Sequence, residues 1–171
     1  MNPTEQTLLE QMRITEFEIA HRKELLLLSE QDVALLASYC GKIEPRIDAL
    51  VDRFYQQQTA ITEIALLIGD ADTLTRLRTA QRRYVLDLFS GQYDLEYVNN
   101  RLRIGLVHKR IGVEPKLYLA AINTLKALLI EDIFEQIRDE PERLVMLAAL
   151  DKLFLFDITL VFETYIRSLV S

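Results

Sequence analysis

The sequence is poor in residues that cross-link a chain or turn it. Its 171 residues include one cysteine, four prolines, five glycines and no tryptophan, whereas 50% of them are hydrophobic. The single cysteine, Cys40, excludes an internal disulfide, and a small buried hydrophobic side chain is a simpler interpretation of it than a reactive thiol. So few turn-forming residues beside so much apolar side chain favour a compact, helix-rich fold.

Signals for export and for membrane insertion are also missing from the sequence. Residues 1–6 show neither the basic segment nor the apolar core of a secretion signal. No run approaches the roughly 18 apolar residues that a membrane-spanning helix needs. We therefore expect a reducing, cytoplasmic setting and no membrane partner. The length suits one domain that buries about two-thirds of its unfolded surface.

The charge balance is acidic, with a formal net charge of −6 at pH 7. Phosphate binding usually needs a basic face, so we expect no nucleic-acid partner. One local basic cluster stands against this trend, and it consists of Arg76, Arg78, Arg82 and Arg83. It has two interpretations, a solvated helix face or a contact with an acidic ligand group or partner.

Helix start and stop signals recur along the chain, and the alternating pattern of strands does not appear. Apolar spacing predicts a short leading helix within a segment over 1–28. Gly41 is the expected end of the helix that follows. The later helices are expected to start at Ser29, Glu44-Pro45, Asp70, Asp94, Pro115 and Pro141. Apolar residues recur every three or four positions in these segments, so the sequence predicts an all-α protein.

The last predicted helix, about 141–169, is apolar on more than one face. Asp157 interrupts its densest apolar stretch. One stripe comprises Leu147, Leu150, Phe154, Ile158, Val161 and Tyr165, and other sides carry Leu153, Phe156 and Leu160. A helix that is apolar nearly all round must be buried nearly all round. Either a second stripe faces a partner in a homodimer, or one domain wraps the helix completely.

His108 is the most informative candidate for chemistry, because the chain has only one other histidine, His21. Four residues at helical spacing share the face of His108, and they are Ile104, Gly105, Ile111 and Gly112. Two glycines there cost helix stability, roughly 1 kcal/mol each in a helix interior. A flat, bulky group or a neighbouring helix approaching the backbone would explain them. His108 is accordingly either a metal ligand of the kind haem iron uses or a packed structural histidine.

Two tyrosines add to this interpretation. Tyr118 falls in the first turn after Pro115, where its hydroxyl could return toward His108 and accept the second N–H of a metal-bound imidazole. Tyr55 follows Phe54 on the apolar face of an earlier helix, and a buried phenol needs a hydrogen-bond partner. Each tyrosine is equally explained as an aromatic core residue. Tyr93 and Tyr97 are further residues that could approach such a site.

Three stretches together resemble the sensor domain of globin-coupled sensors. The first is Phe54-Tyr55, and the second is 86–94, Leu-Asp-Leu-Phe-Ser-Gly-Gln-Tyr-Asp. The third spans 104–118 and has the pattern Ile-Gly-x-x-His-x-x-x-Gly-Val-x-Pro-x-x-Tyr. The resemblance extends from about Ser29 to Leu169, which places a globin sensor domain at 29–171 behind the leading segment 1–28. It departs from the family at Leu117, where a tryptophan is common.

The resemblance implies a site residue by residue. It makes His108 the proximal iron ligand, Tyr118 the tyrosine that contacts it, and Tyr55 the distal tyrosine that hydrogen-bonds bound oxygen. Leu77 and Ala80 match distal-pocket positions, and because Ala80 has no donor, Tyr55 is the main polar contact expected there. The haem-binding set is completed by Phe54 beside Tyr55, and by Ile104 and Ile111 on the face of His108. His21 has no assigned role.

The resemblance also implies a fold and a function. The fold is globin-like, with an extended N-terminal helix and long final helices through which two copies dimerise. The function is a haem b gas sensor for O2, with CO or NO as further candidates, that signals to an output domain such as a diguanylate cyclase. We expect a sensor domain cut from a longer signalling protein, or a stand-alone member, without enzyme activity of its own. The alternative is a haem-free globin-like dimerisation module.

Overall fold

The computed structural model describes residues 6–167 and 169 of the chain. These residues form ten α-helices and one 3-10 turn, without any strand. In chain order the helices are α1 (Leu8–Met12), α2 (Glu16–Leu25), α3 (Glu30–Ser38), α4 (Cys40–Ile43), α5 (Ile47–Thr59), α6 (Thr62–Ile68), α7 (Ala71–Leu88), α8 (Leu95–Arg110), α9 (Pro115–Gln136) and α10 (Glu140–Ile166). The 3-10 turn, Glu44–Arg46, leads into α5. The all-α prediction is confirmed.

The leading segment consists of two helices, so the expectation of one extended N-terminal helix is wrong. The chain breaks at Arg13, whose backbone is left-handed with φ 56°. Thr15 then starts a new helix, because its side chain accepts a hydrogen bond from the backbone N–H of Glu18. Met12 and Ile19 are buried in the same core as the later helices. The two short helices are therefore packed against the remainder of the fold.

Most helix starts lie where the sequence predicts them. The side chains of Ser29, Asp70 and Asp94 each accept a hydrogen bond from a backbone N–H three residues on. These bonds satisfy donors that have no partner within the helix. Pro115 occupies the first turn of α9, where its missing N–H costs nothing. Local capping chemistry thus sets these boundaries.

The region between α3 and α5 differs from the prediction. Gly41 does not end a helix, because α3 stops at Ser38 and the short α4 runs through Gly41. Pro45 lies in the 3-10 turn, and α5 begins only at Ile47. Pro45 lacks a backbone N–H, and a short 3-10 turn accommodates it between the two helices. No helix was predicted from the sequence at α6. Its N-cap residue is Ile61, whose side chain makes no capping hydrogen bond.

The long helix α10 is buried by its own domain around most of its circumference, with α3, α8 and α9 packed against it. Its buried residues come from both candidate stripes, and they include Leu150, Leu153, Phe154, Phe156, Leu160 and Val161. The second stripe expected to face a partner is therefore occupied by the protein's own core. Its exposed large apolar residues are instead Leu144, Val145, Leu155 and Ile166. The final helices are long, as predicted.

The crossing of α8 and α10 explains Gly105. A Cβ atom there would overlap Thr164 Oγ1 and lie 3.1 Å from Val161 Cα. Of the two explanations for this glycine, the close approach of a neighbouring helix is the one observed. Gly112 has a different role, because its φ of +84° reverses the chain after α8.

A buried ion pair joins the same two helices. Arg101 Nε lies 3.0 Å from Asp157 Oδ2, and each side chain is 1% exposed. Tyr97 and Tyr84 also donate hydrogen bonds to the Asp157 carboxylate. The Arg101 guanidinium is sandwiched between these rings, 4.1 Å from the Tyr84 centroid and 4.0 Å from that of Tyr97. A charge this deep is tolerated only when it is paired and hydrogen-bonded in this way.

The arginine cluster lies on α7 beside acidic residues of α5. Arg82 Nε is 3.0 Å from Asp48 Oδ1, and Arg78 Nε is 3.6 Å from Asp52 Oδ1. These partners support the interpretation as a solvated, charged helix face. Over the described part of the chain, no helix is long and apolar enough to cross a bilayer.

Candidate functional site

A cavity of about 280 Å³ opens among α5, α6, α7, α8 and α9. Its volume is near the lower end of the roughly 300–1,000 Å³ that small-molecule sites occupy. Most of its lining is apolar, and the structure brings all eight predicted site residues to it. These are Phe54, Tyr55, Leu77, Ala80, Ile104, His108, Ile111 and Tyr118. Residues from four helices and from the turn that ends α8 thus meet at one place.

His108 lies in the last turn of α8. Its Nδ1 is 2.7 Å from the carbonyl oxygen of Ile104, one turn earlier on the same helix. A carbonyl can only accept, so Nδ1 carries the proton and Nε2 of the neutral ring holds a lone pair. Burial lowers the pKa of His108, although the hydrogen bond to Ile104 opposes this. A neutral imidazole with a fixed tautomer is the form that binds a metal.

Tyr118 contacts His108 through its ring. The two ring centroids are 5.3 Å apart at 79°, an edge-on arrangement. The single N–H of the neutral imidazole, at Nδ1, donates to the Ile104 carbonyl, so the expectation that the Tyr118 hydroxyl accepts it is wrong. Tyr118 therefore restrains the orientation of the imidazole by packing, and burial raises the pKa of its phenol.

Tyr55 enters the cavity from α5. Its hydroxyl donates a hydrogen bond of 3.2 Å to the carbonyl oxygen of Leu77 on α7. Phe54 packs edge-on against it, with ring centroids 5.0 Å apart. Burial raises the pKa of Tyr55 to about 12, and the charge of Arg78 opposes the rise. The phenol therefore stays protonated at neutral pH and is available as a donor.

Sequence reasoning missed Gln58. This residue lines the cavity on α5 and is 3% exposed. Its position was a usable signal, because it continues the apolar spacing of Val51, Phe54 and Tyr55 with a polar side chain. Three lining residues of α6, namely Ile64, Leu67 and Ile68, were missed together with their helix.

Tyr84 connects the cavity to the buried ion pair. It lines the cavity, and its hydroxyl donates a 3.2 Å hydrogen bond to Asp157 on α10. Tyr93 and Tyr97 do not reach the cavity. The Tyr93 hydroxyl donates to the carbonyl of Leu88, and that of Tyr97 donates to Asp157. His21, the other histidine, lies exposed on α2.

The cavity offers few metal-binding side chains. The described residues contain no cluster of three or more histidine, cysteine or acidic side chains that could hold a bare metal ion. His108 offers one imidazole nitrogen in an apolar cavity, and a haem needs one such axial ligand because its porphyrin provides the others. The residues present therefore fit a haem.

Comparisons with known proteins identify the family of the chain. A family model described as Protoglobin matches residues 15–171. The heme-based aerotactic transducer HemAT of Halobacterium salinarum is 30% identical over 173 aligned residues, which cover 94% of this chain and 35% of the transducer. The chain thus spans about a third of the length of this relative.

A solved structure supports the fold independently. The globin domain of the Geobacter sulfurreducens globin-coupled sensor superposes with a TM-score of 0.82 at 24% identity. The match covers 86% of this chain and 97% of that domain. The globin-like fold and the resemblance to globin-coupled sensor domains are both confirmed.

Proposed function

The chain belongs to the protoglobin family, and from this premise we propose that it is a sensor domain that binds haem b and a diatomic gas. One observation carries the proposal. His108 presents the lone pair of a neutral imidazole at an apolar cavity. The same cavity receives the phenol of Tyr55 from another helix. The relative named a heme-based aerotactic transducer supports the same function.

In this proposal His108 Nε2 would hold the haem iron, and the Ile104 carbonyl fixes the orientation of the ring. When bound, the haem supplies the iron at which diatomic gases bind. Tyr55 would be the distal hydrogen-bond donor, and to act so it would leave its present acceptor, the Leu77 carbonyl. The remaining predicted residues exclude water and pack against the macrocycle, and they are Phe54, Leu77, Ala80, Ile104, Ile111 and Tyr118.

Transmission would use helices that already pack together. α8 carries His108 and crosses α10 closely at Gly105, whereas α9 carries Tyr118. A change at His108 or Tyr118 therefore acts directly on the last two helices. We propose that these two helices form a homodimer interface and that gas binding shifts the population of two dimer arrangements toward one of them. The output module that reads this shift is proposed to belong to the longer protein, as the resemblance implies.

An absorption spectrum with a matched pair of variants tests the cofactor. Protein produced with ample haem is measured as isolated, after reduction, and after exposure to air or carbon monoxide. We expect a Soret band that shifts at each step, a lost or altered band in His108→Ala, and an unchanged band in His21→Ala. A colourless parent, or a His108→Ala protein with the parent spectrum, would refute the haem site. A colourless dimer would favour the haem-free interaction module.

The dimer is tested separately by sedimentation. Leu144 and Leu155 are 58% and 44% exposed on α10, so replacing both by lysine removes apolar surface without filling the core. We expect the double variant to sediment as a monomer at concentrations where the parent is a dimer. Leu25→Lys, on the exposed face of α2, is the matched control and should leave the dimer intact. Equal sedimentation of the parent and the double variant would place the interface elsewhere.

A further inference from the structure

Gln58 carries a buried donor that no described residue of the protein satisfies. The side chain is 3% exposed, and its Nε2 has no hydrogen-bond partner among residues 6–167 and 169. Leaving a buried amide N–H unpaired costs on the order of 1–3 kcal/mol. Native proteins rarely carry such a group without a reason, and a ligand that accepts the bond is one.

The position of Gln58 indicates which ligand this is. Gln58 lines the same cavity as His108, one helical turn after Tyr55 on α5. Tyr55 and Gln58 therefore offer their donors from one helix, whereas His108 comes from another. This arrangement places Gln58 with the residues that would face the gas rather than with those that would hold the iron.

The two donors differ in whether they already have a hydrogen-bond acceptor. The Tyr55 hydroxyl already donates to the Leu77 carbonyl at 3.2 Å and must leave it before it can bind anything else. The Gln58 Nε2 group gives up no existing hydrogen bond within the described residues when it donates to a ligand. Burial also strengthens its hydrogen bond, because water does not compete for the N–H.

We propose that Gln58 Nε2 is a second hydrogen-bond donor to the diatomic ligand and that it contributes to the preference for dioxygen over carbon monoxide. This inference rests on the proposed haem function. Bound dioxygen carries more negative charge on its outer atom than bound carbon monoxide does, so an N–H donor stabilises dioxygen more. A cavity with two such donors would release dioxygen more slowly than a cavity with Tyr55 alone.

The experiment compares Gln58→Met with Gln57→Met in haem-loaded protein. Methionine keeps the length of the side chain and removes the donor, and Gln57 is the exposed neighbour on the same helix. One neutral hydrogen bond corresponds to a roughly 2- to 12-fold change in dissociation rate. We expect dioxygen to leave Gln58→Met faster by such a factor, and the C–O stretching frequency of its carbon monoxide complex to rise. Gln57→Met should match the parent in both measurements.

The possible outcomes separate this inference from the proposed function. A parent protein without a Soret band refutes both. A parent with the band, whose dioxygen release and C–O frequency equal those of Gln58→Met, refutes the role of Gln58 alone. Gln58→Leu is the second variant if Gln58→Met does not load haem. If neither variant loads haem, Gln58 acts in seating the cofactor, and its assignment as a donor to the gas is wrong.

Discussion

The hydroxyl of Tyr55 donates a hydrogen bond of 3.2 Å to the carbonyl oxygen of Leu77, which joins α5 to α7 across the cavity. Both residues belong to the predicted distal side, and the bond occupies the donor that a gas would use. The carbonyl of Leu77 is also within reach of the backbone N–H of Gln81 in α7, as helix geometry requires. If the Tyr55 hydroxyl leaves the Leu77 carbonyl for a ligand, that carbonyl keeps its helical hydrogen bond to Gln81. Tyr55 can therefore switch acceptors at little cost.

Tyr55→Phe should accelerate the release of dioxygen from haem-loaded protein by roughly tenfold, the equivalent of about 1.4 kcal/mol for one lost hydrogen bond. Stopped-flow measurement with a dioxygen scavenger gives the rate. Tyr93→Phe is the matched control, since Tyr93 is also a buried tyrosine that donates to a backbone carbonyl, 2.6 Å from Leu88. It should lose comparable folding stability while releasing dioxygen at the parent rate. An unchanged rate in Tyr55→Phe would remove Tyr55 from the distal role.

Asp157→Asn should be among the most destabilising single changes in this chain. Arg101 would remain buried without its counter-charge, and breaking a buried pair from one side costs about 3–5 kcal/mol. Asp157 holds the pKa of Arg101 above its ordinary value, although burial by itself lowers it, so the guanidinium stays charged. Urea denaturation followed by circular dichroism measures the free energy of unfolding.

The control for this change lies on the same helix. Asp151 pairs with Lys126 at the surface and is 51% exposed. Asp151→Asn should change the free energy of unfolding by less than about 1 kcal/mol. Replacing both buried partners, in Arg101→Met with Asp157→Leu, should recover part of the stability lost in Asp157→Asn. If Asp151→Asn and Asp157→Asn lowered the free energy of unfolding by similar amounts, burial of the Arg101–Asp157 pair would not matter for stability.

Gly105→Ala should destabilise the protein by about 1–3 kcal/mol, although alanine is the better helix former. The added methyl group would meet Thr164 Oγ1 and the backbone of Val161, which forces α8 away from α10. Gly41→Ala is the control, because nothing lies within 4 Å of the Cβ position there. It should be neutral or stabilise the protein by up to about 1 kcal/mol. Thermal unfolding of the two variants, measured side by side, distinguishes helix packing from helix propensity.

The parts of the fold that could be predicted from the sequence depend on local signals. Ser29, Asp70 and Asp94 cap their own helices, and a cap needs only the next three residues. The apolar period places a side chain on a helix face without knowledge of the partner helix. Predicting the lining of the cavity required more, namely the family resemblance, because helix faces alone do not show which of them meet.

Two residues were missed because their roles depend on tertiary contacts, whereas two helix boundaries were missed for local reasons. Arg101 reads as a surface residue, since arginine is rarely buried, and only Asp157 on a distant helix explains its position. Gln58 interrupts an apolar face, a signal that becomes meaningful once the cavity beside it is known. The break at Arg13 combines a left-handed residue with a new helix capped by Thr15. The helix α6 has no capping side chain, so its start had no local signal.

The stability of the protein should depend on pH through Asp32. Its carboxylate accepts hydrogen bonds from the backbone N–H and hydroxyl of Ser29 and from Lys152 Nζ at 3.0 Å. Burial alone would raise the pKa of Asp32, but these partners outweigh burial and lower the pKa below its ordinary value. A carboxyl group with a depressed folded-state pKa stabilises the protein above its unfolded pKa, near 4. That contribution is lost as the pH falls through the lower, folded value.

Asp32→Asn should therefore be less stable than the parent at pH 7, by roughly 1–3 kcal/mol for hydrogen bonds to a charged group. The difference should shrink steadily as the pH falls below about 4, because the parent then loses the same charge. Urea denaturation at a series of pH values between 7 and 2.5 measures this difference in the free energy of unfolding. Glu30→Gln, which removes an exposed acid from the same helical turn, separates loss of charge near the helix start from loss of the bonds to Ser29 and Lys152. If the difference in unfolding free energy between Asp32→Asn and the parent stayed constant over the whole series, ionisation of Asp32 would not stabilise this fold.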